Sequence, residues 1–390
     1  MSALLLEPLD ASMAASMLAE ASRDAVRIIP RGSGTKLAWR GDDATGGAYL
    51  STCHLNTPIQ HYAGDLVATI PCGATLAEAN AVLAGSGQWL PVDPAYAERA
   101  TIGGIVATND SGPRRHKYGS PRDLIIGVEM VLADGRIAKA GGRVVKNVAG
   151  YDLSRLLCGS FGSLAVITAA TFKLAPIPAT SRTVIATVSD PARAAELALV
   201  VAAAAPITPS AIEIEAPQAR LLIRFETTER AADQMAAATR ALLEHAGAET
   251  AVLAGTPEDE RWQQHQARVW DRPGMVLKMS ILPTDVAGVF APLTNAAGTD
   301  WMVVGRAALG VLLIRVTADL ALLHLTAREL RDYAVSRRGS LVVLDGPAAV
   351  RAELRASSNA SRAEPIMAAV KARFDPHGVL PPAPGTLAAS

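Results

Sequence analysis

The chain has 390 residues, 50% hydrophobic and 19% charged, enough for sizeable cores in two or three domains. Lysine plus arginine balances aspartate plus glutamate at 37 each and aromatics are 4%, which argues against a nucleic-acid partner, a base-stacking platform or an anionic membrane surface. The three cysteines, Cys53, Cys72 and Cys158, lack C-x-x-C spacing and read as buried or free thiols in a reducing compartment, not as metal or iron–sulfur ligands. The start, MSALLLEPLD, lacks a signal peptide's positive charge, and the longest apolar run, 197–207, contains Pro206 and is too short to span a bilayer. The expectation is a cytoplasmic protein, touching a membrane only peripherally and through partners.

Residues 4–6 can start a strand, and the alanine-rich stretch up to 25 has helical spacing. A short β run, 26–30, feeds RGSGTKLAWRG. Gly32, Gly34 and Thr35 directly follow that strand, where consecutive N–H groups can form an anion nest, although an ordinary turn explains them too. No G-x-x-x-x-G-K-[ST] is present, and Leu37 stands where a Rossmann fingerprint needs glycine. Residues 50–51 and 66–71 read as strands. Thr75 and Glu78 form a capping box opening a helix that Gly85 and Gly87 stop. Pro91, Asp93 and Pro94 lead an extended segment into a Thr101-Ile102-Gly103-Gly104 turn.

Residues 101–174 dominate the chain. Glycines recur among short β-branched runs, with small polar side chains at Thr101, Thr108, Asn109 and Ser111. Two readings stand side by side: a backbone-lined ligand cradle, for which glycine permits close approach, or a glycine-rich β meander. Val128, Met130 and Leu132 alternate before an Asp134-Gly135 hairpin turn.

T-I-G-G-x-x-A-T-N-x-S-G (101–112), followed by His116-Lys117-Tyr118-Gly119 and the Asp134-Gly135 turn, resembles the FAD-binding domain of the vanillyl-alcohol oxidase/PCMH flavoproteins. The run 144–153, VVKNVAGYDL, is similar to the glycolate oxidase and D-lactate dehydrogenase branch, and the blend looks most like its E-type subunits. The resemblance implies an α+β fold: a PCMH-type FAD-binding domain of two α+β subdomains over 1–178, a cap domain over 179–350, and a segment 351–390 returning to the FAD domain. It implies noncovalent FAD. Pro30-Arg31-Gly32-Ser33-Gly34-Thr35, with Lys36, matches the family's pyrophosphate loop with Ser33 for its middle glycine, and no histidine stands there for covalent attachment. It extends the cofactor site to Pro94, Thr101, Ile102, Gly103, Gly104, Thr108, Asn109, Ser111, Gly112, Tyr118, Gly119, Gly159, Gly162, Val166 and Ile167. In the family's G-S-E-G-T-L-G-I-I-T turn this chain has Phe161 for glutamate and Ala165 for the last glycine. Lys146, Asn147, Tyr151 and Asp152 are expected near the flavin in structural roles.

Pro176-Ile177-Pro178 marks a boundary. Beyond it strands at 182–188, 211–215, 220–226 and 250–254 alternate with helices at 191–205 and 230–246, a β-α-β-β-α-β unit, and the order recurs over 276–344 after a helix at 258–270. Two such units sharing an antiparallel sheet resemble the family's cap, on the substrate side.

Oxidising a 2-hydroxy acid needs a base for the hydroxyl proton and cations for the carboxylate. The seven histidines show no metal-spaced pair, and the histidine cluster of catalytic relatives is missing. His265 and His324 read as helix-surface or packing residues. Arg224, Lys278, Arg306 and Arg315 could face a carboxylate, or be exposed strand residues. No catalytic residue is assigned. Residues 351–363 read as a linker, and 371–381, KARFDPHGVLP, resembles the family's ending with Pro381 for asparagine. The expected function is that of the FAD subunit of a glycolate oxidase complex, working with a flavin-bearing D subunit and an iron–sulfur F subunit. A self-sufficient dehydrogenase of another 2-hydroxy acid or sugar acid, and a non-catalytic structural subunit, are the competing readings.

Overall fold

The computed structural model describes residues 4–41, 47–143, 151–356 and 363–383. They fall into two units, one of residues 1–112, 118–177 and 358–390, the other of 113–117 and 178–357.

In the first unit Asp10 accepts from the Met13 amide at 2.8 Å and caps helix Ala11–Arg23. Ala14, Leu18 and Ala21, one helical face, are buried. They join Ile28 and Leu50 of a parallel three-stranded sheet, ordered β1 (Leu5–Leu6), β3 (Gly47–Ser51), β2 (Arg27–Arg31). A second sheet is antiparallel and five-stranded. Its strands are β4 (Gln60–Tyr62), β5 (Val67–Pro71), β7 (Ile125–Leu132), β8 (Ile137–Gly141) and β9 (Ala165–Lys173), in the order β4-β5-β9-β7-β8. β6 (Gln88–Trp89) pairs with β10 (Ala175–Pro176). The two sheets are the expected two α+β subdomains. Helix Leu76–Ala84 opens on the predicted capping box, with the Thr75 amide donating to Glu78 at 2.8 Å.

The expected turn at 101–104 is instead the start of a helix: Thr101 caps Ile102–Thr108, whose Ile102, Ile105 and Val106 enter the core around Ile70, Leu83 and Phe172. Helical glycines cost stability, and here close packing explains one of them, since a Cβ at Gly103 would stand 3.0 Å from Cys72 Cβ.

The C-terminal segment docks on this unit. Val379 accepts from the Ile28 amide at 2.8 Å, and Val379 and Leu380 are buried. Asp375 accepts from the Val379 and Leu380 amides at 2.9 and 2.8 Å. Lys371 pairs with Asp375 and donates to the Ser163 carbonyl at 2.8 Å. The K-x-x-F-D-P signature is therefore a clamp.

The second unit holds one antiparallel sheet of β11 (Thr180–Thr187), β12 (Ala211–Ala216), β13 (Arg220–Thr227), β14 (Glu249–Leu253), β15 (Met275–Ser280), β16 (Asp300–Arg306), β17 (Val311–Thr317) and β18 (Ser340–Asp345). Its order, β14-β11-β13-β12-β16-β17-β15-β18, is two β-α-β-β-α-β units meeting at β12 and β16, as the pattern predicts. Helices Pro191–Ala203, Glu229–His245 and Leu320–Ser336 bury an apolar core with one face, through Ile212, Ile214, Ile223 and Ile314. The alternate residues of the same strands, Glu213, Glu215, Arg224 and Arg315, lie on the other face. One expectation fails here. Helix Ala348–Ala356 occupies the first part of the supposed linker 351–363, because Val350 is buried and Arg351 donates to the Val343 and Leu344 carbonyls at 2.8 and 2.9 Å.

Candidate functional site

A cleft in the first unit opens at the C-terminal end of β2. It is lined by residues 30–37, Arg40, Thr101, Gly104, Ala107, Thr108 and Phe161. The loop approaches helix Ile102–Thr108 so closely that a Cβ on Gly32 would lie 2.1 Å from Thr101 Oγ1. Only glycine fits. Gly162, at φ +70°, lays its backbone against the Pro30 ring, 3.3 Å from where its Cβ would be. The turn that carries Gly159, Phe161 and Gly162 is stitched to the same helix. Gly159 and Phe161 donate to the Val106 and Ala107 carbonyls at 3.1 and 2.7 Å. Arg40, missed in the sequence, ties three segments together, donating to the Phe161 carbonyl and, at 3.0 Å, to that of Pro382. Phe161, also missed, lines the cleft at φ +54°, where the family motif carries glutamate.

Lys36 is the unusual charge of this cleft. Its side chain is 5% exposed, and its Nζ makes no hydrogen bond; Asp110 Oδ2 stands 3.5 Å away. Burial pushes its pKa below the usual lysine value, with the Asp110 charge opposing. A glycine-walled cleft with an incompletely paired, dry ammonium suits an anionic group brought by a ligand, and so fits the phosphates of a dinucleotide.

The other candidate residues are not in the lining of this cleft. Ile102, Val166 and Ile167 put their side chains in the core. Pro94 and Ser111 are buried, and Gly112 packs on Asp93, whose carbonyl oxygen would be 2.1 Å from an added Cβ. Asn109 ends helix Ile102–Thr108 in the left-handed conformation and accepts from the Arg122 amide at 3.1 Å. Tyr118 meets Trp89 edge-on at 6.1 Å, and Gly119 turns at φ +82°. Lys146 and Asn147 lie outside the described residues. Tyr151 is 93% exposed, and Asp152 caps helix Leu153–Leu157. Burial pushes the Cys72 thiol up, and that of Cys158 up to about 12, so both stay protonated and inert.

The second unit carries a different cluster. Its centre is His265, on helix Thr256–Ala267, whose Nδ1 lies 2.8 Å from Glu215 and whose Nε2 lies 3.0 Å from Glu213. Arg306 donates to Glu213 at 3.1 Å, and Arg261 to Glu215. Arg224 reaches Glu258 at 3.0 Å, Arg315 reaches Asp271 at 3.0 Å, and Arg114 grips Glu226 at 2.8 and 3.0 Å. Arg224, Arg306 and Arg315, for which the sequence left carboxylate-facing and exposed positions both open, are thus inward-facing and ion-paired, because the strand alternation that buries Ile212 and Ile214 also sends charges to the sheet's second face. His265 is not a surface or packing residue but a buried bridge, and His324 is half-buried and bonded to Glu353. The missed signal was A-I-E-I-E-A, two glutamates alternating with isoleucine in a strand. Burial alone would lower the His265 pKa, but its two carboxylate partners raise it; Glu215, pushed up by burial, is drawn down by His265 and Arg261 to about 2. His116, with Nδ1 buried and without a hydrogen bond, has its pKa lowered by burial, with Glu213 opposing.

Cleft and fold define an FAD-binding oxidoreductase module. Residues 2–141 match the family model described as FAD binding domain. The chain is 30% identical to glycolate oxidase subunit GlcD of Bacillus subtilis, over 93% of this chain and 84% of that one. It is 40% identical to glycolate oxidase subunit GlcE of Escherichia coli over 42% of this chain and 46% of that one. It is 38% identical to the D-lactate dehydrogenase of Archaeoglobus fulgidus over 44% of this chain and 39% of that one. These last two alignments take in under half of either relative. An alkyldihydroxyacetonephosphate synthase structure superposes with a TM-score of 0.72 at 16% identity, covering 96% of this chain and 75% of that one, and so shares the fold. The chain belongs to the FAD-dependent oxidoreductase family of glycolate oxidase subunits and D-lactate dehydrogenases, enzymes acting on hydroxy acids, and its cofactor is FAD. Among the described residues no helix is long and apolar enough to cross a membrane, and no cluster of histidine, cysteine and carboxylate side chains could hold a metal.

Proposed function

We propose that this chain is the E-type FAD subunit of a glycolate-oxidising complex, in which a D-type flavin subunit oxidises glycolate to glyoxylate and an iron–sulfur F subunit carries the electrons away. The loop 30–36 and helix Ile102–Thr108 would hold FAD noncovalently, and the bound flavin would supply the redox chemistry by which this subunit relays electrons. Gly32 and Gly162 admit the backbone approach, Lys36 neutralises phosphate, and Arg40 fixes the Phe161 turn beside the cleft. The observation that carries the subunit role is the occupied state of the second unit's cations. Arg114, Arg224, Arg306 and Arg315 each already have a carboxylate within 3.1 Å, which leaves them poorly placed to receive a substrate carboxylate. Chemistry in a partner subunit accords with that pairing.

A second reading has its own support. The similarity to the Bacillus GlcD subunit runs through the second unit as well as the first. That favours a chain which oxidises a 2-hydroxy acid by itself. One experiment separates the two. The purified chain's visible spectrum is recorded before and after anaerobic addition of glycolate, D-lactate or D-2-hydroxyglutarate. Bleaching of the isolated chain establishes the self-sufficient dehydrogenase, with the bleaching acid as its substrate. Bleaching only after D and F subunits are added supports the subunit role. A colourless protein that still assembles would make it a structural subunit.

A further inference from the structure

We propose that Lys371 and Asp375 are positioning residues for the cofactor: with Arg40 they strap the C-terminal segment to the turn 159–163, and so hold Phe161, part of the cleft wall, in place. This role rests on the FAD reading of the cleft and gives the C-terminal segment a part in retaining the flavin.

Lys371 lies on helix Glu364–Phe374. Its ammonium has three donors and meets three acceptors: the Ser163 carbonyl at 2.8 Å, the Leu380 carbonyl at 2.8 Å and the Asp375 carboxylate. Asp375, whose side chain is fully buried, accepts in turn from the Val379 and Leu380 amides at 2.9 and 2.8 Å, which fixes the path of the tail. Arg40 repeats the arrangement, donating to the Phe161 carbonyl and, at 3.0 Å, to that of Pro382. Carbonyls 161 and 163 of the turn are thus joined to tail carbonyls 382 and 380, each pair through one cation. Two carbonyls cannot bond to each other, so the cation is what joins them. Phe161 needs such a hold. A bulky residue at positive φ persists only where its surroundings fix it, and Phe161 stands at φ +54° in the cleft lining. Its amide is held by the Ala107 carbonyl at 2.7 Å and its own carbonyl by Arg40, while Lys371 fixes the carbonyl two residues on. Neither Lys371 nor Asp375 lines the cleft, so their effect on the flavin passes through the turn. Linkage is reciprocal: a tail that steadies the flavin is steadied by it to the same extent.

The first measurement uses the parent chain, whose amide hydrogen exchange is followed with FAD bound and after its removal. FAD should slow exchange at the Val379 and Leu380 amides roughly tenfold more than in helix Leu76–Ala84, the factor that one charge-assisted hydrogen bond supplies. The second measurement is flavin affinity at a temperature where every variant is folded. Lys371→Met should weaken FAD binding roughly tenfold and expose the flavin fluorescence to iodide quenching. Arg40→Met should cost a similar factor, and the double variant less than the product of the two, since one turn cannot be freed twice. The role is overturned if the tail amides gain no more protection from FAD than that helix does. It is equally overturned if Lys371→Met lowers the melting temperature yet binds FAD within about twofold of the parent, the behaviour of a purely structural clamp. Should Lys371→Met fail to fold, the exchange of the parent decides. A parent chain that takes up no FAD would overturn the cofactor reading and this role with it, whereas one that binds FAD with an indifferent tail overturns this role alone.

Discussion

Lys36 in the first unit and Arg306 in the second are almost equally dry, 6% and 5% exposed, yet they are held in opposite ways. Arg306 meets Glu213 at 3.1 Å, and Glu213 is also bound by His265, which is bound in turn by Glu215. Lys36 faces one distant carboxylate that is already engaged elsewhere. Desolvating a charge costs several kcal/mol unless paired. The second unit sets Arg224, Arg306 and Arg315 against carboxylates within 3.1 Å, although Arg224 and Arg315 each keep a buried nitrogen without a hydrogen bond, whereas Lys36 has its carboxylate at 3.5 Å.

The largest effect that would break this comparison is loss of an ion-pair partner in the second unit. Arg306→Met leaves Glu213 underpaired and should cost about 3–5 kcal/mol in urea unfolding, with the flavin-to-protein ratio unchanged at low temperature. A parallel loss of flavin would show that the cluster also supports the cofactor site. Next comes Gly32→Ala. Its Cβ must displace Thr101 Oγ1 from 2.1 Å, an overpacking of ~1–3 kcal/mol, and the larger consequence should be flavin-poor protein by absorbance. Normal flavin content would mean that the loop moves freely and the close approach is incidental.

A third measurement sharpens the comparison through pH. Both ring nitrogens of His265 face carboxylates, and the imidazolium is the form that donates to both. Its raised folded-state pKa makes its contribution complete below the unfolded value of about 6.5, and it is lost as pH rises through the folded value. Glu215 works in the opposite sense. With its folded pKa drawn down to about 2, its contribution is present above its unfolded value and disappears as the solution is acidified towards 2. Stability of the second unit should therefore fall at both ends of the pH scale, and His265→Gln should flatten the alkaline limb. An unaltered alkaline limb in that variant would place the titrating group elsewhere. The smallest effect is expected at Thr75→Ala, which removes one capping box and should cost about 1 kcal/mol in thermal unfolding without touching flavin content.

Much of this was legible locally. The capping box at Thr75, the Asp134-Gly135 turn and the repeated strand–helix order depend on neighbours a few residues apart, and they form as the pattern predicts. The glycine loop after β2 was recognisable because a ligand-approaching backbone demands residues without a Cβ. Arg40 and Phe161 were not, since they meet across 121 residues and nothing in either neighbourhood marks the contact. The 101–104 segment was misread as a turn because two adjacent glycines signal one, whereas both lie in a helix capped by Thr101, with Gly103 packed against Cys72.

The sequence by itself determined the class of fold, the glycine loop after β2 and the repeated strand–helix order of the second unit, because these follow from backbone freedom and side-chain period over a few residues. Only the tertiary structure decided which charges would be spent on one another. Arg224, Arg306 and Arg315 look alike on isolated strands, and whether each faces water, substrate or a carboxylate depends on strand register and on partners distant in sequence, such as Glu258 for Arg224 and Glu213 for Arg306. Coulomb energy and desolvation act through space, and proximity in space is what a linear order of residues does not contain.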